Sequence, residues 1–167
     1  MTTEDLYHKY KNTVFNVALQ YTNNIQDAEE VTQDVFIKVF DNLNKFRKES
    51  ELKTWIYRIT INQSLDCIKS KKRQKRSFIY SLFDSQLESD KNQITDFNHP
   101  GITLENKEVL ENLMQKIYTL PENQKTVIIL LKIEDLSQKE VAEIMKLNEG
   151  AVESLFQRAK TSLKKLL

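Results

Sequence analysis

Apolar side chains recur along this chain at the three- and four-residue intervals of amphipathic helices. Leu6, Tyr10 and Val14 begin one such stripe, and Thr2 or Thr3 is placed to cap it. In the next stripe Phe36, Ile37 and Phe40 widen the apolar face, which indicates contacts on two sides of that helix. The pattern predicts helices over residues 4–22, 25–43, 52–71, 104–118, 121–133, 138–145 and 149–167.

The chain is poor in the residues that make turns, with two glycines and two prolines among 167 residues. β-Sandwiches and barrels need many such turns, and nucleotide-binding loops are rich in glycine, so both are disfavoured. One stretch, residues 84–103, holds few large apolar side chains and contains the turn signal Asn98–Gly101. We therefore expect an all-α protein made of two small helical bundles, residues 1–76 and 104–167, joined by a flexible linker over residues 77–103.

The formal net charge of +1 hides a strongly uneven distribution. Residues 47–76 carry ten basic and three acidic side chains, a net charge of +7, whereas residues 1–46 and 77–109 are net acidic. A basic block of this kind attracts polyanions such as nucleic acid, although a solvated helix face has the same composition. Charge alone leaves these two interpretations equally open.

Residues 137–167 have the layout of a helix-turn-helix. Ser137 and Glu140 are spaced as a capping box at the start of a short helix, and Asn148 is placed to cap the next one. In a helix-turn-helix the second helix presents its first turns to the major groove of DNA. An ordinary helical hairpin has the same spacing, so this pattern alone does not separate the two.

Nothing in the sequence indicates an enzyme. His8 and His99 are isolated from other ligand-type residues, and Cys67 is the only cysteine. We expect no catalytic residue, metal, cofactor or small-molecule substrate. The first residues lack the pattern of a signal peptide, and the longest apolar run, residues 127–131, is too short to cross a bilayer. These features predict a cytoplasmic protein.

Three segments together resemble the sigma-70 family of RNA polymerase sigma factors. Residues 120–166, LPENQKTVIILLKIEDLSQKEVAEIMKLNEGAVESLFQRAKTSLKKL, are similar to region 4 of that family. Residues 27–46, DAEEVTQDVFIKVFDNLNKF, are similar to region 2.2, and residues 46–73, FRKESELKTWIYRITINQSLDCIKSKKR, to regions 2.3 and 2.4. Their order and the short linker resemble the extracytoplasmic function (ECF) subgroup.

The resemblance implies an alternative sigma factor whose partners are core RNA polymerase, promoter DNA and an anti-sigma factor, which is often membrane-bound in the family. It implies core-polymerase binding by Glu30, Gln33, Asp34 and Ile37. It implies binding of the −10 promoter element by Arg47, Lys53, Tyr57, Arg58, Asn62, Lys69, Lys72 and Arg73. It implies binding of the −35 element by Asn148, Glu149, Gly150, Glu153, Ser154, Gln157 and Arg158.

Some interpretations stay open from the sequence. Trp55 fits the core better than a platform for a DNA base. Glu153 and Leu155 stand where family members often have basic residues, and a glutamate there would repel phosphate but accept a hydrogen bond from cytosine.

A stand-alone helix-turn-helix regulator would explain residues 137–165 but not the basic block. A helical adaptor protein would explain the amphipathic pattern but not two basic surfaces.

Overall fold

A computed structural model describes residues 2–46, 51–82 and 104–166 of the chain. Every regular element in these ranges is helical, which confirms the all-α prediction. The chain divides into two units, Met1–Thr95 and Asp96–Leu167. The helices are α1 (Thr3–Thr22), α2 (Ile25–Asn42), α3 (Leu52–Leu82), α4 (Leu104–Thr119), α5 (Glu122–Ile128), α6 (Gln138–Met145) and α7 (Glu149–Leu166).

Short-range hydrogen bonds cap the start of α1 and form the turn between α1 and α2. The Thr2 hydroxyl accepts a hydrogen bond from the Asp5 N–H at 3.1 Å, and the Asp5 carboxylate accepts one from the Thr2 N–H at 2.9 Å. Thr2, not Thr3, is therefore the cap. Asn23 follows the last residue of α1 with a φ of 50°, in the left-handed region, and Asn24 caps α2 by accepting from the Asp27 N–H at 3.0 Å.

The core of the first unit forms where one face of α2 meets α1 and α3. Val35 and Val39 of α2 are fully buried against Leu6 and Val14 of α1 and Ile56 of α3. A short 3₁₀ turn, Leu43–Lys45, follows α2. Helices α1, α2 and α3 each pack against the other two, so the face of α2 turned away from both neighbours is left to solvent.

Helix α3 continues to Leu82, eleven residues beyond the predicted end at Lys71. Residues 70–76 carry no apolar stripe, so hydrophobic periodicity does not register them. Lysine, arginine and glutamine nevertheless have high helix propensities, which favours continuation of a helix that has already formed. Residues 77–82 of the predicted linker are therefore helical. Residues 83–103, including the Asn98–Gly101 turn, lie outside the described residues, and the predicted domain boundaries stay predictions.

The second unit is built around the apolar residues that follow Pro121. Val127, Ile129 and Leu130 are fully buried, as are Val141 of α6 and Val152 of α7. The segment from residue 122 to residue 133 is helical throughout, closing with one wider turn over Ile129–Ile133. This confirms the helix predicted there. The buried face of this segment is the surface against which α6 and α7 pack.

Candidate nucleic-acid and polymerase interfaces

The α6–α7 pair has the geometry of a helix-turn-helix, with the start of each helix capped by a side chain. Ser137 and Glu140 form the predicted capping box, with Ser137 N–H donating to the Glu140 carboxylate at 2.8 Å. Lys146 then adopts a left-handed φ of 55°, which reverses the chain. Asn148 Oδ1 accepts from the Ala151 N–H at 2.7 Å and starts α7. The turn and both caps follow the sequence prediction.

The predicted −35 residues lie together on the first three turns of α7 and just before them. Of the seven, Glu153 is half-buried and the other six are exposed. The Ser154 hydroxyl donates to the Gly150 carbonyl at 2.9 Å. A Cβ added at Gly150 would meet only Asn148 Oδ1, at 3.5 Å, so nothing within the described chain demands a glycine there. The helix start is open, and its unpaired backbone N–H groups carry partial positive charge.

Glu153 is held by two amide side chains. Its carboxylate accepts one hydrogen bond from Gln157 Nε2 on the same helix, at 2.6 Å, and another from Gln138 Nε2 on α6. Gln138 is exposed and was absent from the predicted site. It lies fifteen residues before Glu153, so no helical spacing connects the two in the sequence.

The predicted −10 residues are distributed along α3, and the structure separates them by burial. Asn62, Lys69, Lys72 and Arg73 are exposed, and Lys53 and Arg58 are half-buried. Arg58 and Asn62 are one helical turn apart and share a face. Arg47 lies outside the described residues.

Tyr57 does not join this surface. Its side chain is 4% exposed and lies inside the first unit. A −10 role would require an exposed ring, because bases stack on aromatic faces that solvent can reach. Sequence periodicity placed Tyr57 beside Arg58 without indicating which of the two points inward. Tyr57 therefore belongs to the core of the first unit and not to the exposed surface of α3.

Lys71 is also set apart from the basic block. Its ammonium group forms a salt bridge with the Asp27 carboxylate of α2, and the Asp27 side chain is only 12% exposed. Asp27 and Lys71 are 44 residues apart, so no helical spacing connects them in the sequence. Cys67 lies close by, and burial raises the pKa of its thiol, with a further rise from the Asp27 carboxylate. Lys71, although its side chain is 52% exposed, therefore ties α3 to α2 through Asp27.

Trp55 is half-buried against the core of the first unit. Its ring lies 5.0 Å from the Phe46 ring, centroid to centroid, with 35° between the planes. The aromatic pair is within the range of favourable ring contacts. This packing agrees with the preference for a core role over a base-stacking platform.

The predicted polymerase-binding residues occupy the solvent side of α2. Glu30, Gln33 and Asp34 are exposed, and Ile37 is 58% exposed, unusual for an isoleucine. Phe36 instead turns inward, with its ring 4.8 Å from that of Tyr7. The apolar stripe of α2 therefore has a buried part, which includes Phe36, and one residue that points to solvent, Ile37.

Within the described residues, no three or more His, Cys, Asp or Glu side chains lie close enough together to hold a metal ion. No helix in the same ranges is both long and apolar enough to span a membrane.

Comparison with known proteins gives consistent matches over both units. The family model "Sigma-70 region 2" matches residues 6–74, and "Sigma-70, region 4" matches residues 110–163. The ECF RNA polymerase sigma-E factor of Haemophilus influenzae is 30% identical over 155 residues, covering 93% of this chain and 82% of that protein. The ECF RNA polymerase sigma factor SigW of Bacillus subtilis is 28% identical over 163 residues, covering 98% and 87%.

Solved structures show the same fold. The sigma factor RpoE from Bartonella quintana, crystallised with the anti-sigma factor NepR, matches with a TM-score of 0.67 and 20% identity, covering 98% of this chain and 94% of that one. CnrH, solved with the cytosolic domain of CnrY, gives the same TM-score and identity, covering 98% of this chain and 86% of that one. This chain belongs to the sigma-70 family, in its extracytoplasmic function group, and is an alternative sigma factor: a regulatory protein that binds core RNA polymerase and promoter DNA to direct transcription initiation.

Proposed function

We propose that three separate surfaces divide the work of this sigma factor. The solvent face of α2 binds core polymerase, the basic face of α3 opens and reads the −10 element, and the start of α7 reads the −35 element. The observation that carries the proposal is the exposed start of α7, which follows the left-handed turn at Lys146 and the Asn148 cap.

The α2 surface combines acids with one apolar anchor. Glu30 and Asp34 lie one turn apart, and Ile37 follows on the same side of the helix. An exposed isoleucine within a charged surface is suited to a partner with an apolar pocket bordered by basic residues. Gln33 adds a neutral donor and acceptor. We therefore assign the core-polymerase contact to Glu30, Gln33, Asp34 and Ile37.

The α3 surface suits separated DNA strands. Lys69, Lys72 and Arg73 are exposed cations that can neutralise backbone phosphates, and Arg58 lies beside Asn62 further up the helix. The Asn62 amide carries both a donor and an acceptor, which a base edge can pair with. We assign base reading to Asn62 and backbone binding to the cations.

The α7 surface suits duplex DNA. Arg158 provides a bidentate donor for phosphate or guanine. The Gln157 amide donates one N–H to Glu153 and offers its other N–H and its carbonyl oxygen to base edges. Asn148, Glu149 and Gly150 lie at the positive end of the helix dipole, where a phosphate is favoured. This arrangement supports phosphate contacts at the helix start and base contacts one to two turns further on.

Specific initiation on this proposal is a binding function, with no chemistry performed by the sigma factor itself. We therefore infer that the protein is not an enzyme and acts in the cytoplasm with RNA polymerase. We also propose control by an anti-sigma factor that covers the DNA-binding surfaces. Isolation of the protein under non-inducing conditions with polymerase as its sole protein partner would count against such an inhibitor.

Reconstituted transcription tests the proposal. Core polymerase with the purified chain should give promoter-specific transcripts and permanganate-reactive thymines near −10. A stand-alone regulator would bind duplex DNA without polymerase and give neither result. An adaptor would show no salt-dependent DNA binding.

Two variants test the division between the DNA surfaces. Arg158→Ala should weaken binding of the −35 duplex, and Asn62→Ala should reduce open-complex formation while leaving duplex binding intact. Lys165→Ala, an exposed cation near the end of α7, is the matched control for Arg158. Equal losses in both assays for both variants would refute the assigned roles.

A further inference from the structure

A small polar network joins the two helices of the helix-turn-helix outside their apolar core. Gln138 is the first residue of α6, and Glu153 and Gln157 lie one turn apart on α7. The Glu153 carboxylate accepts hydrogen bonds from the side-chain nitrogens of both glutamines. Both glutamines are exposed, and Glu153 is half-buried between them.

The chemistry of the three groups determines which atoms they offer outward. A carboxylate accepts hydrogen bonds and does not donate them, so each amide turns its nitrogen toward Glu153. Each amide carbonyl oxygen is then directed away from the carboxylate. The two contacts occupy two of about four lone-pair sites on the carboxylate, which leaves further acceptor capacity. The network therefore presents more acceptors than donors.

We propose that Gln138 is a positioning residue for reading the −35 element: by holding the Glu153 carboxylate, it orients Glu153 and Gln157 toward a base that presents an amino group. In the major groove, cytosine N4 and adenine N6 are the amino donors. This inference rests on the proposed role of α7 in −35 binding. It adds a residue of α6 and the chemical class of base that the network selects.

Gln138 also reduces the unfavourable effect of a carboxylate on a surface that binds DNA. An unrestrained glutamate side chain samples several rotamers and is repelled by phosphate. Two amide donors restrict the side chain and hydrogen-bond its charge, so it reaches the groove in a defined orientation. Glu153 then acts as a base reader and Gln138 acts through it.

The fold of the helix-turn-helix does not depend on this network. Val141 and Ala142 of α6 and Val152 of α7 are buried, and the Ser137 capping box starts α6 independently of Gln138. Removal of an exposed amide should therefore change DNA preference with little change in stability. That separation makes the proposal testable in the intact protein.

The experiment is competition binding by holoenzyme assembled from core polymerase and the full chain. Promoter fragments carry each of the four bases in turn at every −35 position. The wild-type protein should prefer cytosine or adenine at the position that Glu153 and Gln157 face. Gln138→Ala should reduce that preference by about threefold to tenfold at this position alone, the range expected for coupled neighbours.

Lys139→Ala is the matched control, because Lys139 is exposed in the same turn of α6. Loss of a lysine–phosphate contact weakens binding almost uniformly across sequences, so its base preferences should match the wild type. Gln138→Glu places two carboxylates together and should reduce preference as Gln138→Ala does. Combining Gln138→Glu with Glu153→Gln exchanges the hydrogen-bond donor and acceptor between the two positions. This double variant should recover part of the base preference.

An unchanged preference in Gln138→Ala at every −35 position would overturn the inference. A uniform loss of affinity, like that expected for Lys139→Ala, would do so as well. Absence of promoter-specific initiation by the wild-type holoenzyme would instead count against the proposed function, so the two failures are distinguishable. Thermal unfolding of each variant confirms that the comparison is made between folded proteins.

Discussion

Lys71 and Lys72 are adjacent cations of one helix, and the structure predicts opposite consequences when each is replaced by methionine. Methionine keeps an unbranched apolar side chain and removes the charge. Lys71→Met should destabilise the first unit and leave binding of −10 DNA nearly unchanged. Lys72→Met should leave stability unchanged and weaken DNA binding. The difference arises because only Lys71 is paired with Asp27 of α2.

The magnitude follows from the exposure of the two partners. The Asp27 side chain is 12% exposed and the Lys71 side chain 52%, so the pair lies between a buried and a surface salt bridge. Breaking a buried pair costs about 3–5 kcal/mol, and an exposed pair contributes about 0–1 kcal/mol. We expect a loss of about 1–2 kcal/mol. For a domain of about 60–100 residues, 1.5 kcal/mol corresponds to a fall in Tm of roughly 6–12 °C.

The assay uses Trp55, the only tryptophan of the chain, which lies in the first unit. Its fluorescence during thermal or urea unfolding reports that unit separately from the second, which matters because a two-unit chain need not unfold in one step. DNA binding is measured with holoenzyme and a −10 fragment over a range of salt concentrations. Lys72→Met should lower the salt slope by about one phosphate contact, and Lys71→Met should not.

Two outcomes would refute this reasoning. One is an unfolding midpoint of Lys71→Met equal to that of the wild type. The other is a reduction of the salt slope by Lys71→Met as large as that caused by Lys72→Met. Adding Asp27→Asn and the double variant completes a double-mutant cycle, whose coupling energy should also be about 1–2 kcal/mol.

Three more predictions concern other parts of the chain. Ser137→Ala removes a helix cap and should cost about 1 kcal/mol of stability in the second unit, measured by calorimetry. Ile37→Asp should weaken binding to core polymerase without lowering Tm, because the side chain is 58% exposed, and equal affinity in a pull-down would contradict the α2 assignment. Burial raises the pKa of Tyr118 from 10.0 to about 12. Folding therefore favours the neutral phenol, and this stabilisation, present below pH 10, should disappear between pH 10 and about 12. Unfolding of Tyr118→Phe should lack that pH dependence.

Local signals predicted much of the fold correctly. The caps at Thr2, Ser137 and Asn148 each join groups three residues apart, so residue identity and spacing indicate them, although the structure was needed to choose Thr2 over Thr3. Helix α3 is the counterexample: its basic end lacks an apolar stripe, and periodicity placed its end at Lys71 instead of Leu82. Hydrophobic pattern detects a helix through the face it buries, so an exposed helical extension escapes it.

The sequence by itself determined the all-α class, the approximate positions of the helices, the caps at Ser137 and Asn148, and the family to which the chain belongs. Only the tertiary structure decided that Tyr57 is buried, that Lys71 pairs with Asp27 and that Gln138 reaches Glu153. Helix periodicity tells which residues share a face, and it is silent on which neighbouring helix covers that face. The two polar contacts join residues 44 and 15 positions apart, and packing of separate helices creates both.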